Sequence, residues 1–164
     1  MFQATVPPLA RTLRNLSAIL AKGAAHAEAN KLDPSTLTGF RLYPDMYPLM
    51  RQVQIATDIA KGGVARLAGE TPERFEDNET TFAELIARID RTLALIERYT
   101  PAQIDGSEQR EITLKTGGVE RHFDGQRYLL HFVLPNVFFH ATTAYAILRH
   151  NGVALGKMDF LGSF

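Results

Sequence analysis

The amino-acid sequence predicts an all-α fold, a four-helix bundle with a small β-hairpin inserted between helices 3 and 4. Three patterns support this prediction. Three segments repeat apolar residues every three or four positions, as amphipathic helices do. A fourth segment, residues 128–148, contains no Lys, Arg, Asp or Glu, and a helix that is apolar nearly all round is buried on most sides. Between the last two segments the apolar period falls to two, which is typical of β-strands.

The first helix is predicted from apolar residues that step by three and four: Leu9, Leu13, Leu16, Leu20 and Ala24. It extends to about Ala29. We expect Pro7 and Pro8 in its first turn, because proline costs little there and breaks a helix interior. Asp33 and Pro34 then start a short connector.

The second helix is predicted from the same period in Met46, Leu49, Val53, Ala56, Ala60, Val64 and Leu67. Asp45 can cap its N-terminus, and Pro48 still falls in the first turn. Gly69 suits its end. The pair Gly62-Gly63 either weakens this helix locally or allows a neighbour to pack closely.

The third helix is predicted to open with the capping box Thr81-x-x-Glu84 and to end before Pro101. Its expected interior positions are Phe82, Ile86, Ile89, Leu93 and Ile96. Glu84 and Arg88, four residues apart, are expected to form an exposed ion pair.

The loop before the third helix, residues 70–79, is polar, and Phe75 is its only large apolar anchor. A calcium loop would need regular oxygen ligands and a glycine turn, and this segment has no glycine. We therefore expect a solvated loop, including its acidic residues Glu73, Glu76, Asp77 and Glu79.

The hairpin is predicted from the alternation in residues 111–115 and from Gly117-Gly118, which supplies positive φ. Asp124-Gly125 turns the chain into the fourth helix, and Asn151-Gly152 ends that helix. The tail, residues 153–164, is expected to pack Phe160 and Leu161 onto the bundle.

Composition predicts a single domain, residues 1–164, in the cytoplasm. The 18 basic and 18 acidic residues cancel, so no basic surface is expected to bind nucleic acid. The chain has no cysteine, and its first residues lack the pattern of a signal peptide. Pro135, Asn136 and two histidines within residues 128–148 argue against a membrane span.

The candidate ligand-binding site lies on the fourth helix, where Asn136, His140 and Thr143 share one face. If the second and fourth helices touch, Gln52 can face Asn136 or His140. Asp45 shares the Gln52 face of the second helix and is either a capping residue or part of the same pocket.

His140 has two open interpretations. It is either a core histidine with one nitrogen hydrogen-bonded, or a ligand or acid–base group that lines a pocket. A helical metal pair would need a second ligand four residues on, and that position is Ala144. The sequence therefore predicts no metal site and no cofactor.

Four segments together resemble a known family: LPNVFFHATTAYAILRHNGV and GKMDFLG near the C-terminus, DMYPLMRQVQIATDIAKG in the second helix and PERFEDNETTFAEL before the third. They resemble a bacterial family of unknown function related to the DinB/YfiT-like four-helix bundles. The resemblance covers nearly the whole chain and implies that fold. It also implies a homodimer, which is common in that superfamily.

The superfamily resembles metalloenzymes, with one histidine on the second helix and a His-x-x-x-His pair on the last. Some of its branches are linked to thiol-dependent transferase or isomerase chemistry. In this chain His140 matches the first histidine of the pair, Ala144 replaces the second, and residues 46–67 contain no histidine. Two of the three implied metal ligands are therefore missing.

Three functional hypotheses follow. The first is a cytosolic small-ligand-binding or structural protein whose metal site has degenerated. The second is a DinB-like enzyme, of the metal- or thiol-dependent transferase or hydrolase type, that uses a rearranged site around His140 with Asp45 or Gln52. The third is a protein whose main role is assembly, with the dimer as the working unit. A homodimer is expected because the fourth helix is apolar on more faces than one small bundle can cover.

Overall fold

The computed structural model describes residues 1–163, apart from the side chain of Thr116. Four long helices form the bundle: α1 (Phe2–Ala29), α3 (Leu49–Leu67), α4 (Phe82–Glu97) and α7 (Leu134–His150). The connections carry four short helices, α2 (Pro34–Thr38), α5 (Pro101–Ile104), α6 (Gly125–Tyr128) and α8 (Lys157–Leu161), and the strands β1 (Ile112–Thr116) and β2 (Val119–Phe123). The predicted fold class is confirmed.

The long helices pack in the order α1, α4, α3, α7, and α7 returns to α1. Each contributes a buried apolar stripe to one core. Its largest fully buried side chains are Leu9, Leu13, Leu16, Ile19, Leu20, Leu49, Leu67, Leu85, Ile89, Ile96, Ile104 and Tyr128. The predicted contact between the second and fourth long helices is therefore present, as α3 against α7.

The position of Pro7 and Pro8 was predicted wrongly. Helix α1 begins at Phe2, so both prolines lie inside it. A proline in a helix interior costs roughly 3 kcal/mol. Leu9 and Leu13, which follow directly, are fully buried, and their packing offsets this cost. Asp105 also caps the helix, because its carboxylate accepts a hydrogen bond from the Phe2 backbone N–H at 2.7 Å.

The predicted start of the second long helix was also wrong. Helix α3 begins at Leu49 with Pro48 as its N-cap, and Asp45 is exposed in the turn before it. The residue that precedes a proline is disfavoured in helical conformation. Tyr47 therefore cannot continue the helix backwards through Pro48, and Asp45 is too far away to cap it.

Helix α4 opens as predicted. The Thr81 hydroxyl accepts from the Glu84 N–H at 3.2 Å, and the Glu84 carboxylate accepts from the Thr81 N–H at 2.9 Å. Hydrogen bonds from the Thr80 and Thr81 backbone N–H groups to its carboxylate lower the pKa of Glu84 to about 2. Glu84 therefore binds the helix start and forms no ion pair with Arg88, so that predicted exposed pair is wrong.

The hairpin pairs Ile112 with Phe123 in antiparallel register and turns through Gly117 and Gly118, both at positive φ. Asp124 then caps α6 by accepting from the Arg127 N–H at 2.8 Å. A single π-helical turn, Leu129–Val133, joins α6 to α7. Within residues 1–163, none of the helices combines the length and the hydropathy that crossing a membrane would require.

The π turn accommodates Pro135, which has no N–H and would collide with a carbonyl in a continuous α-helix. The same turn packs tightly against α3. A Cβ added at Gly63 would lie 2.7 Å from Cγ1 of Val133, so only glycine allows this approach. Of the two roles predicted for Gly63, close packing is the one that the structure shows.

The tail behaves as predicted over the residues that the structure describes. Asn151 ends α7, α8 packs against α1, and the Phe160 ring contacts Tyr145 edge-on at 6.3 Å. The last residue of the predicted tail, Phe164, lies outside the described residues.

Candidate functional site

Gln52 of α3 and His140 of α7 form a buried pair at the interface of the two helices. His140 Nδ1 lies 2.7 Å from Gln52 Oε1. Gln52 is 1% exposed and His140 8%. A buried polar group left without a partner costs about 1–3 kcal/mol, so the two side chains satisfy one another.

The amide nitrogen of Gln52 determines which ring nitrogen of His140 carries the proton. Gln52 Nε2 donates to the Tyr47 carbonyl at 2.9 Å, which makes Oε1 the acceptor in the bond to His140. His140 Nδ1 is therefore the donor, and the neutral ring carries its lone pair on Nε2. No residue of the described chain donates to Nε2.

The surroundings keep this ring neutral. Burial lowers the pKa of His140 below its usual value of 6.5, and the positive charge of Arg51 lowers the pKa further. A neutral imidazole with a free Nε2 can accept a hydrogen bond or a proton.

The other predicted site residues are placed differently. Asn136 Nδ2 donates to the Phe132 carbonyl at 2.6 Å, and Thr143 Oγ1 donates to the Phe139 carbonyl at 2.8 Å. Both side chains therefore bond to their own helix. Asp45 is exposed outside α3. The structure thus brings Gln52 and His140 together, while ligand binding by any of the five residues remains a prediction.

The residues around His140 do not fit the metal site that the superfamily resemblance implies. Gln52 uses Nδ1 of His140, and the buried Ala144 offers no ligand one turn later. Across the described part of the chain, no three His, Cys, Asp or Glu side chains are grouped so that they could hold an ion. A metal bound as in the superfamily therefore has no ligand set here.

An open cleft of about 510 Å³ lies beside Tyr47, and neither Gln52 nor His140 lines it. One wall is the start of α3, with Tyr47, Met50 and Arg51, and the other is the end of the acidic loop, with Asp77. Tyr47 links cleft and pair, because its carbonyl accepts from Gln52. The cleft combines an aromatic ring, a thioether and a cation, which suits a small amphipathic acid.

A second polar cluster, centred on Arg88 of α4, was missed by the sequence analysis. The Arg88 side chain is 1% exposed. It donates to Glu79 at 2.9 Å, to Asp58 at 2.8 Å and to Asp77 at 3.0 Å. Its Nε donates to the Thr57 hydroxyl at 2.7 Å. The prediction that the acidic loop is solvated is therefore wrong for Glu79, whose side chain is 14% exposed, whereas Asp77 is exposed but paired.

Arg51 of α3 also binds the acidic loop, at Asp77. Burial alone would raise the pKa of Asp77, but hydrogen bonds and charge from Arg51 and Arg88 outweigh it, so its pKa lies below the usual value. Phe75 is the anchor that was predicted, and its ring contacts three cations, Lys61, Arg88 and Arg91. The position of Arg88, between Leu85 and Ile89 on the buried stripe, was the available indication of this cluster.

The profile of the family described as "Domain of unknown function (DUF1993)" matches residues 1–161. No curated protein matches the chain. The 1.83 Å crystal structure of a DinB family member from Shewanella denitrificans is 41% identical, with a TM-score of 0.93 over 99% of this chain and 92% of that one. The resemblance inferred from the sequence is confirmed: this chain belongs to the DUF1993 family, which is related to the DinB-like four-helix bundles.

Proposed function

We propose that this protein is a cytosolic small-ligand-binding bundle in which a hydrogen-bonded Gln52–His140 pair stands where the superfamily resemblance implies a metal. One observation carries the proposal: Gln52 bonds His140 Nδ1 and the Tyr47 carbonyl at once. It therefore orients the free Nε2 and holds the backbone of Tyr47, which lines the cleft. The ligand class that suits this cleft is a small organic acid with an apolar body.

The cleft carries both signs of charge: two arginines favour an acidic ligand, while the carboxylates of Asp77 and Glu79, which also line it, are bound by Arg88. Arg41 and Arg51 both line it, and Arg51 is half-buried. Arg51 bonds to Gln54 and Asp77, so an incoming carboxylate would share its guanidinium with them. Tyr47 is 56% exposed, which leaves its ring accessible to an apolar ligand body.

Benzoate, an aromatic carboxylate, is a suitable probe. We expect one benzoate to bind per chain in calorimetric titration, and Gln52→Leu to weaken binding about tenfold, because both hydrogen bonds that fix Tyr47 and His140 are lost. His131→Ala is the matched control, since His131 is exposed just before the same helix. Equal binding by Gln52→Leu and the parent protein would contradict the proposal.

The proposal also predicts that purified, untagged protein carries no stoichiometric transition metal. The reason is the ligand set, since Ala144 occupies the second histidine position and Gln52 bonds Nδ1 of the first. Elemental analysis measures this directly. About one metal per chain, lost in His140→Ala, would overturn the prediction.

An enzyme with a rearranged site is the second candidate, and the neutral His140 favours it. An imidazole with a pKa below 6.5 and a free Nε2 is a competent general base near neutral pH. Recovery of a bound organic acid in chemically altered form would favour this candidate over simple binding.

A further inference from the structure

A second cleft, of about 400 Å³, lies where the end of α3 and the loop after it meet the approach to β1. It shares no lining residue with the cleft beside Tyr47. Two arginines face it, Arg66 from the last turn of α3 and Arg110 from the residue that precedes Glu111 and β1.

These two arginines differ from the other shielded arginines of the described chain. Four arginines are buried or half-buried: Arg51, Arg66, Arg88 and Arg110. Arg51 and Arg88 each bind carboxylates. The Arg66 side chain donates only to the Tyr128 hydroxyl, at 3.2 Å, and the Arg110 side chain has no hydrogen bond or ion pair with any described residue.

Each of the two guanidinium groups lies against a glycine that has no side chain to displace it. A Cβ added at Gly62 would lie 2.6 Å from Nη1 of Arg66. A Cβ at Gly69 would collide with Nη1 of Arg110. Each guanidinium therefore rests against bare backbone and loses part of its hydration there. A half-buried cation without a counter-charge is costly, and an anion in the cleft would remove that cost.

Two carboxylates also line the cleft, and only one of them has a partner among the described residues. Glu70 accepts from the Tyr99 hydroxyl at 2.7 Å and pairs with Arg98. Glu111 is exposed and has no partner among the described residues. The charges in the cleft that have no ion-pair partner are thus two positive and one negative. The cleft therefore attracts an anion.

We propose that this cleft binds a small oxyanion, held between Arg66 and Arg110, with the Thr71 hydroxyl at its edge as a further donor. Guanidinium groups present paired N–H donors that match the oxygens of phosphate and carboxylate. The site is independent of the Gln52–His140 pair, so it can hold even if the function proposed for that pair does not.

Calorimetric titration at low ionic strength tests the site with two probes, inorganic phosphate and succinate. We expect one of them to bind with a stoichiometry of one, and which one it is distinguishes a phosphate from a carboxylate ligand. Arg110→Gln should weaken binding about tenfold or more, since a charge-assisted pair of hydrogen bonds is lost. Glu111→Gln should tighten binding severalfold, because it removes the repelling charge.

Arg74→Gln is the matched control, because Arg74 is exposed on the following loop and the substitution changes net charge equally. It should leave binding unchanged. Arg66→Lys, which keeps a charge but loses the paired donors, should weaken binding without loss of the folded circular-dichroism spectrum. Failure of both probes to bind at millimolar concentration, or equal weakening by Arg74→Gln and Arg110→Gln, would overturn the proposal.

Discussion

At the scale of single residues, His140 shows how a polar group on a helix interface acquires one defined state. Gln52 cannot flip its amide without losing the bond to Tyr47, so His140 keeps its proton on Nδ1. A protonated ring would place a second charge near Arg51 in a buried position. Burial and the charge of Arg51 therefore both favour the neutral imidazole.

This argument predicts the titration of His140. Its pKa in the folded protein should lie below 6.5, and Arg51→Gln should raise it toward that value. The unfolded chain binds this proton more readily, so the contribution of His140 to stability is complete above pH 6.5 and declines as the pH falls toward the folded pKa. NMR titration of the imidazole measures the shift.

Arg41→Gln is the control for this titration. Arg41 lines the same cleft, and the substitution changes the net charge equally, but its charge is not among the causes that lower the pKa of His140. A pKa above 6.5 in the parent protein, or a larger response to Arg41→Gln than to Arg51→Gln, would contradict the assignment.

At the scale of elements, Arg88 ties three parts of the chain together. It extends from α4 to Asp58 on α3 and to Asp77 and Glu79 on the acidic loop. Lys61 pairs with Asp58 at 2.9 Å, and Arg51 pairs with Asp77, so three cations balance three carboxylates. The loop is consequently a fixed wall of the cleft beside Tyr47, although it has no regular secondary structure.

Removal of the Arg88 charge should therefore lower the free energy of unfolding. Arg88→Met removes a buried guanidinium and leaves the partly exposed carboxylates of Asp58, Asp77 and Glu79 without it, and loss of such a hydrogen-bonded partner costs about 1–3 kcal/mol. Arg91→Met is the control, because Arg91 lies on the same helix, pairs with Glu73 and contacts Phe75, but is exposed. An exposed pair contributes about 0–1 kcal/mol. Urea denaturation gives both values, and equal losses would refute the central role of Arg88.

The sequence was sufficient for the four long helices and the hairpin, because hydrophobic period and glycine positions are local properties. It was insufficient where a distant contact decides the outcome. Pro7 stays inside α1 because Leu9 and Leu13 pack into the core. The Gln52–His140 pair could be predicted, because two buried polar side chains on touching helices must find partners. Folding of the loop onto Arg88 has no local sequence pattern, although a charge on a buried stripe requires partners.

At the scale of the whole molecule, α7 and the π turn before it leave an apolar face uncovered. Leu130, Phe138 and Phe139 are 45%, 40% and 57% exposed. Over the residues that the structure describes, the tail contacts this helix through Phe160 and Tyr145. Residues 128–148 contain no charged side chain, so two copies of this face can meet about a two-fold axis without opposing like charges.

We therefore expect a homodimer built on α7. Light scattering on dilute protein should give twice the 18.2 kDa chain mass, and Phe138→Glu should reduce it to a single chain, because the new carboxylates would be buried against one another. Val119→Glu is the control, since Val119 is 55% exposed on the hairpin, away from α7. A parent protein of single-chain mass would exclude the dimer. A doubled mass that survives Phe138→Glu but not Val119→Glu would move the interface to the hairpin.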